Sequence, residues 1–171
     1  MKAAWIILVV MILACAGCGY HFAPGGEHID ATLQKVFIGA ISNSTSEANV
    51  ENYVRNAFFS RFRRGSRFTP VASVGEADAS LTGRIASITT GHLAYSSADV
   101  AKEDRVYMTL ELLFKRTDNG EIIWMDSGLT GSQAYTVAAS TTTTATNKED
   151  ALKKLSVDMA DKAYRNMMSG F

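Results

Sequence analysis

The chain has 171 residues and no net formal charge, because 17 lysines and arginines balance 17 aspartates and glutamates. This balance excludes a protein drawn to nucleic acid or to an anionic membrane by a global basic field, and no nucleic-acid partner is expected. The length suits one domain with a single hydrophobic core, and two prolines without an internal repeat give no sign of a second domain.

An apolar segment near the N-terminus has the layout of a secretory signal. Lys2 precedes an apolar run over residues 3–16, which is shorter than the roughly 20 residues that a membrane-spanning helix needs. The small residues Ala16 and Gly17 lead directly into Cys18. This order resembles the bacterial lipobox, in which the cysteine is acylated and becomes the first residue of the mature protein.

Two alternatives to acylation of Cys18 remain open. Cleavage nearby by an ordinary signal peptidase would leave Cys18 as a lone thiol in an oxidising compartment. Cys15 is a second candidate for acylation, although Leu13 is large where a small residue is preferred. Acylation of Cys18 removes Cys15 with the signal, so that the mature chain could form no disulfide.

We predict a signal peptide over residues 1–17, a lipidated tether over 18–33 and a single folded domain over 34–171. The tether contains Pro24 followed by two glycines and lacks periodic apolar residues. Gly19 follows the cysteine where an aspartate would, by the sorting rule of enteric bacteria, retain a lipoprotein in the inner membrane. The outer membrane is therefore the expected location.

The first half of the domain predicts a strand followed by an amphipathic helix. Residues 36–41 form a short apolar run that is typical of a buried strand. Ser44 and Glu47 match a capping box, and apolar residues recur at helical spacing over 50–62. Gly65 then suits a left-handed helix cap.

The strands of the second half are longer. Pro70 indicates an edge strand over 68–73, and alternation from residue 79 toward 88 predicts a half-buried strand. The strongest alternation spans 105–116. Asp118-Asn119-Gly120 predicts a tight turn, after which a strand returns over 121–135.

The end of the chain combines a low-complexity stretch with a helix. Serine and threonine dominate residues 138–146, which lack the large apolar side chains needed to offset the entropy of ordering and so predict a mobile loop. Thr146 and Glu149 match a second capping box, and the apolar stripe that follows predicts a helix to the C-terminus.

Strands flanked by two separated helices predict an α+β fold. We expect a two-layer sandwich with both helices packed on one face of a four- to five-stranded mixed sheet. Tyr107, Thr109, Glu111 and Lys115 alternate with the apolar positions of the strongest strand. The second face of the sheet is therefore predicted to be available to solvent or a partner.

No constellation of residues indicates catalysis. His92 lies near Ser96 and Ser97, but no strained nucleophile turn accompanies them. His21 and His28 lie in the tether without the cysteines or carboxylates of a metal site. We expect a non-enzymatic protein that requires neither a cofactor nor a metal.

Four motifs, in their order and spacing, resemble the lipopolysaccharide-assembly lipoprotein family, LptE. They are Cys18-Gly19-Tyr20-His21-Phe22, Asn43-Ser44-Thr45 before the first helix, Ala77-Asp78-Ala79-Ser80-Leu81-Thr82-Gly83, and Gly120-Glu121-Ile122-Ile123-Trp124. The resemblance implies an outer-membrane lipoprotein, facing the periplasm or a barrel lumen, that plugs the LptD-type β-barrel and assists lipopolysaccharide in reaching the outer leaflet. A scaffolding lipoprotein of another secretion or cell-wall assembly is the alternative, and an envelope hydrolase is the enzyme alternative.

Lipopolysaccharide carries phosphates, which arginine and lysine bind well. Strand directions predict that the connections over 91–103 and 136–146 emerge at one end of the sheet, bringing together three cations. These are Lys102, Arg105 and Lys148, with Lys148 in the first turn of the last helix. The competing location is the end of the first helix, where four arginines lie, although cations there also suit the helix dipole. They are Arg61, Arg63, Arg64 and Arg67.

Overall fold

A computed structural model of the chain describes residues 28–92 and 102–170. Within these ranges five β-strands and two α-helices form, and a short 3₁₀ turn, Val74–Glu76, connects the second and third strands. The elements are β1 (Lys35–Asn43), α1 (Val50–Arg64), β2 (Thr69–Val71), β3 (Ala79–His92), β4 (Lys102–Arg116), β5 (Ile122–Val137) and α2 (Thr141–Ser169).

The strands form one mixed sheet in the order β2-β1-β3-β4-β5. β1 is parallel to both β2 and β3, whereas β3, β4 and β5 are joined as antiparallel neighbours. Pro70 lies in β2, at the edge of the sheet, where its missing N–H costs no interior hydrogen bond. The predicted α+β fold with a five-stranded mixed sheet is confirmed.

Both helices place their apolar residues over the same face of the sheet. Val54, Phe58 and Phe62 are buried along α1, and Leu155 and Met159 are buried along α2. Alternate residues of β4 meet them from the sheet: Val106, Met108, Leu110, Leu112 and Phe114 are all buried. The periodicities seen in the sequence therefore mark the two layers of one core.

An aromatic cluster closes the core where α1 ends. The ring centroid of Phe62 lies 5.7 Å from that of Phe68 and 6.2 Å from that of Phe114. The ring of Tyr164 meets Phe62 edge-on at 5.2 Å. Because these residues come from both helices, from β4 and from the segment before β2, the cluster ties the two layers together.

The prediction of a mobile loop over residues 138–146 is wrong, because α2 already begins at Thr141. The Ser140 hydroxyl accepts a hydrogen bond from the Thr143 N–H and acts as the N-cap. The Thr144 hydroxyl donates to the Ala138 carbonyl, 3.1 Å away. The predicted capping box at Thr146 does not start the helix, since hydroxyls earlier in the stretch satisfy its first turn.

The ends of α1 also differ from the prediction. Asn49 precedes the helix in the left-handed region, at φ 66°, and no side chain caps the helix start. Glu47 pairs instead with Lys148 of α2, so the predicted capping box does not form. Gly65 is extended, not left-handed, and its lack of a side chain makes room for the Tyr164 hydroxyl, with which a Cβ at this position would collide.

The folded part of the chain starts earlier than the predicted domain boundary. Ile29 and Leu33 are buried in the core, although residues 28–33 were assigned to the tether. The Arg67 guanidinium donates hydrogen bonds to the carbonyls of Leu33, Asp30 and Ile29 at 2.8, 2.8 and 3.3 Å. We call residues 28–34 the N-terminal belt, since they cross the end of the core.

Asp78, which binds the chain where the belt joins β1, gives the protein a predicted sensitivity to acid. Hydrogen bonds from the Lys35 and Gln34 N–H groups hold the pKa of Asp78 below its ordinary value. Their contribution to stability is present above about pH 3.9 and is lost as the pH falls through the lower pKa of the folded state. We expect Asp78→Asn to flatten the dependence of unfolding free energy on pH in this acid range, as measured by urea denaturation.

The control for this prediction is Asp158→Asn, on the exposed side of α2. Its carboxylate accepts no hydrogen bond from the described residues, and the acid dependence should match that of the wild type. An unchanged acid dependence in the Asp78→Asn variant would show that these two hydrogen bonds contribute nothing to stability through the Asp78 carboxylate.

Candidate protein interface

The sheet face opposite the helices carries no covering layer within the described residues. Across β3, β4 and β5 its side chains form rows, because paired residues of neighbouring strands lie side by side. We call the residues of these rows the open face. From the end where β4 begins, the rows are Gly91, Arg105 and Ala134; Thr89, Tyr107 and Ser132; Ser87, Thr109 and Thr130; Arg84 and Glu111; and Thr82, Leu113 and Met125.

Hydroxyl groups dominate the half of the open face near the start of β4. Ser87, Thr89, Thr130 and Ser132 are exposed there, around a Tyr107 side chain that is itself 45% exposed. Gly91 leaves room for the Tyr107 ring, since a Cβ at this position would lie 3.2 Å from the ring edge. This half can donate and accept hydrogen bonds, and Arg105 is the one charged residue in its rows.

The other half of the open face becomes apolar beyond an ion pair. Arg84 donates to both carboxylate oxygens of Glu111, at 2.6 and 3.2 Å, so the two charges offset each other. Leu113 is half-buried and Met125 is exposed in the next row. A pair of this kind at the surface contributes little to stability, but it leaves the centre of the face nearly neutral.

Sequence reasoning identified the β4 residues of this face and missed those of β3. A register shift between Ile85 and Ser87 interrupts the alternation of β3. Ser87 and Thr89 are therefore paired with Thr109 and Tyr107, whereas simple alternation from Leu81 would have placed them on the core side. In the sequence, the loss of regular alternation between apolar and polar residues after Ile85 was the one sign of this bulge.

Two of the three predicted lipopolysaccharide contacts, Arg105 and Lys148, lie in different layers of the fold. The connections before β4 and after β5 do lie at one end, as the pairing of Lys102 with Val137 shows. Arg105 belongs to the open face, whereas Lys148 lies in the helix layer and pairs with Glu47. Lys148 is also well beyond the first turn of α2, because that helix begins at Thr141.

Arg105 stands out among these cations. Its side chain is half-buried, and its Nε atom is buried without a hydrogen-bond partner among the described residues.

Of Lys102 the structure describes the backbone alone. Cys18, the predicted acylation site, lies outside the described residues.

The competing arginine cluster is largely engaged in holding the fold together. Arg61 Nε lies 2.9 Å from the Asp161 carboxylate, and the Arg61 guanidinium covers the Tyr164 ring at 4.0 Å. Arg64 approaches the same carboxylate at 3.7 Å, and Arg67 binds the N-terminal belt. These contacts favour the structural interpretation of the cluster.

Other candidate sites are accounted for by local contacts. His92 Nδ1 lies 2.8 Å from the Asp104 carboxylate, at the end of β3. In residues 28–92 and 102–170, no group of three histidines, cysteines or carboxylates is arranged to hold a metal. No helix in that part of the chain is both long enough and apolar enough to cross a membrane.

Comparison with known proteins decides the family. The model of the family described as LptE, lipopolysaccharide-assembly, matches residues 33–167, which is most of the chain. The protein belongs to the LptE family. The LptE family is a non-enzymatic accessory lipoprotein family of the lipopolysaccharide-assembly machinery, and the resemblance found in the sequence motifs is confirmed. No curated protein sequence matches the chain.

Solved structures support the fold of this LptE-family protein. Lipoprotein B from Nitrosomonas europaea superposes with a TM-score of 0.52 at 12% identity, over 81% of this chain and 84% of that one. The hypothetical protein CT253 from Chlamydia trachomatis gives 0.50 at 7% identity, over 81% of this chain and 99% of that one. At such low identities the similarity concerns the fold alone.

Proposed function

We propose that this LptE-family protein is an outer-membrane lipoprotein, anchored through acylated Cys18, that plugs an LptD-type β-barrel and assists lipopolysaccharide assembly. The observation that carries the proposal is the open face, which no other described residue covers and which is rich in hydroxyl groups over its first half. The lumen of an outer-membrane barrel is polar, so its wall can exchange hydrogen bonds with such a face.

The open face is a narrow strip that can form only the centre of a larger protein interface. Three strands about 4.8 Å apart and rows about 6.8 Å apart give a surface roughly 10 Å wide and 27 Å long. The outer side of the helix layer is a weaker candidate because its charges pair with one another. Lys153, for example, lies 3.0 Å from Glu149 and 3.2 Å from Asp150, as expected of a solvated surface.

A charge placed on the open face tests this assignment. Ser132 is exposed in the hydroxyl-rich half, and Ser132→Arg would bring an unpaired cation into the contact with the barrel. We expect the variant to weaken binding to the barrel by at least about tenfold, or 1.4 kcal/mol. The measurement is the fraction of barrel that co-purifies with the tagged lipoprotein from detergent extracts, together with the thermal unfolding of each variant.

The matched control is Ser60→Arg, which makes the same change at an exposed position of α1. It should retain the barrel as the wild type does. If Ser132→Arg retains the barrel equally well while remaining folded, the open face is not the binding surface.

Within this proposal, Lys102, Arg105 and Lys148 are the candidate contacts for lipopolysaccharide phosphates. The Arg105 side chain is half-buried and forms no ion pair with the described residues, whereas Lys148 is already paired with Glu47. We therefore expect Arg105→Gln to reduce retention of the protein on immobilised lipopolysaccharide more than Lys148→Gln does. Equal retention of both variants and the wild type would reject the site.

A further inference from the structure

The last strand of the sheet has a long free edge. In the described part of the chain β5 pairs only with β4, so one side of its 16 residues meets no other strand. Such an edge offers backbone N–H and carbonyl groups to any second strand, and proteins usually blunt it. The opposite edge of the sheet is blunt already, because β2 has three residues and contains Pro70. Unwanted strand pairing is therefore a risk at β5 above all.

Two side chains of α2 reach the free edge of β5. Nζ of Lys162 donates a hydrogen bond to the Thr130 carbonyl at 2.9 Å. Nδ2 of Asn147 donates to the Thr136 carbonyl at 2.8 Å. These are the distances of an N–H···O bond between strands, so each nitrogen takes the place that a backbone N–H group of a further strand would need.

A third donor comes from β5 itself. Backbone groups along a strand alternate in direction, so the even-numbered residues from 130 to 136 all present their carbonyls on the free edge. Between the two carbonyls bound by α2, that of Ala134 accepts a hydrogen bond from Nε2 of Gln133 at 3.1 Å. Three of these four carbonyls are thus occupied, and that of Ser132 is the one without a donor in the described ranges.

The close packing of α2 on β5 explains how the helix reaches the edge. Gly131 has no side chain, and a Cβ at this position would lie only 3.0 Å from atoms of Leu155 and Met159. Asn147 meets the end of β5 and Lys162 an earlier part of it, so the helix runs antiparallel to the strand. The two donors are about 22 Å apart along the helix, and their carbonyls are about 20 Å apart along the strand. The helix is therefore in register with the edge.

The residues that form this edge offer no barrier of their own to a second copy of the chain. They are small and uncharged: Thr130, Ser132, Ala134 and Thr136. Two β5 strands in antiparallel orientation could pair without repulsion between like charges, and this is the pairing that a symmetric dimer would use. The barrier consists of the donors that already occupy the carbonyls.

We propose that Lys162, Asn147 and Gln133 form an edge guard, which prevents a second copy of this chain from adding its β5 to the sheet. An incoming strand would have to displace the three donors and take the Lys162 ammonium group out of water, which is costly without a new partner. None of the three side chains belongs to the open face, so the guard acts with or without a barrel partner.

A double variant removes the α2 part of the edge guard and leaves β5 unchanged. Lys162→Met and Asn147→Leu keep side chains of similar size and remove both donors. The matched control combines Lys153→Met with Asn52→Leu, which makes the same two changes at exposed positions of the helices. The full-length proteins are compared in mild detergent. Light scattering after size-exclusion chromatography gives the protein mass, and hydrogen exchange is measured at single amides.

We expect the mass of the guard variant to double as its concentration rises. In that dimer the N–H groups of residues 130, 132, 134 and 136 should exchange at least about tenfold more slowly. The wild type and the control should keep their mass and exchange rapidly at these four amides.

A guard variant that keeps the wild-type mass and exchange rates would overturn the proposal. A dimer in which the four amides stay unprotected would also overturn it, because the copies would then meet through another surface. Protection of these amides in a dimeric wild type would show that the edge is open to pairing and would contradict the guard. If the double variant does not fold, Lys162→Met alone is compared with Lys153→Met by the same measurements, since both lysines are exposed.

Discussion

Replacing Phe62 by alanine is expected to lower the free energy of unfolding by about 3–5 kcal/mol. Phe62 is 1% exposed and lies at the centre of the aromatic cluster, with Phe68, Phe114 and Tyr164 around it. These partners are held by α2, by β4 and by the segment before β2, so they cannot collapse together to fill the space left by the ring. The loss therefore combines a transfer term with the cost of a cavity.

Urea denaturation of the variant and of a matched control measures this effect. Phe59→Ala removes the same ring from the same helix, at a position that is 39% exposed, and should cost less than about 1 kcal/mol. Similar losses in the two variants would mean that the cluster around Phe62 does not join the two layers.

Replacing Gly83 by alanine is expected to destabilise the sheet by about 1–3 kcal/mol, although the added group is a single methyl. A Cβ at Gly83 would lie 2.6 Å from the Glu111 carbonyl oxygen and 2.8 Å from a methyl of Leu112. The first of these contacts is with the backbone of the neighbouring central strand, which cannot rotate away. β3 and β4 would have to separate at a point where they are paired on both sides.

Gly128→Ala serves as the control because a Cβ at Gly128 meets no atom within 4 Å. Its backbone is not in the positive-φ region, so alanine should be neutral or stabilise by up to about 1 kcal/mol through the unfolded state. Thermal unfolding compares the two. A Gly83→Ala variant that is as stable as Gly128→Ala would contradict the close approach of β3 and β4.

Local patterns predicted most of the architecture. The alternation over 105–116, the turn at Gly120 and the helical spacing over 50–62 each correspond to an element of the structure. These signals are reliable because each reflects the burial of one face of an element against a single core. Pro70 likewise restricted β2 to an edge before any pairing was known.

The errors arose where contacts distant in sequence override local preference. The threonines of residues 141–146 are poor helix formers, but they extend a helix of 29 residues whose packing stabilises its first turns. Glu47 occupies the position of a capping-box residue, but its carboxylate pairs with Lys148, about a hundred positions later in the chain. Similarly, Arg67 donates hydrogen bonds to the belt carbonyls. The tether was predicted from the proline and glycines near Pro24, and that composition carries no information about this contact.

The candidate interface was predictable only in part. Tyr107, Thr109 and Glu111 follow from the alternation of β4 alone. The matching β3 residues depend on the bulge near Ile85, and a bulge shifts every later side chain to the opposite face. The rows of hydroxyl residues form by pairing between adjacent strands, so the sequence of one strand alone does not reveal them.

The central claim is that the protein works as an acylated component bound to a large barrel. Native mass spectrometry of the lipoprotein, purified through a C-terminal tag from outer membranes in mild detergent, tests this claim most directly. The predicted result is a one-to-one complex with a large β-barrel protein, in which the lipoprotein begins at Cys18 and carries the mass of its acyl chains. A species that contains the lipoprotein without a barrel, or one with an unmodified Cys18, would contradict the account.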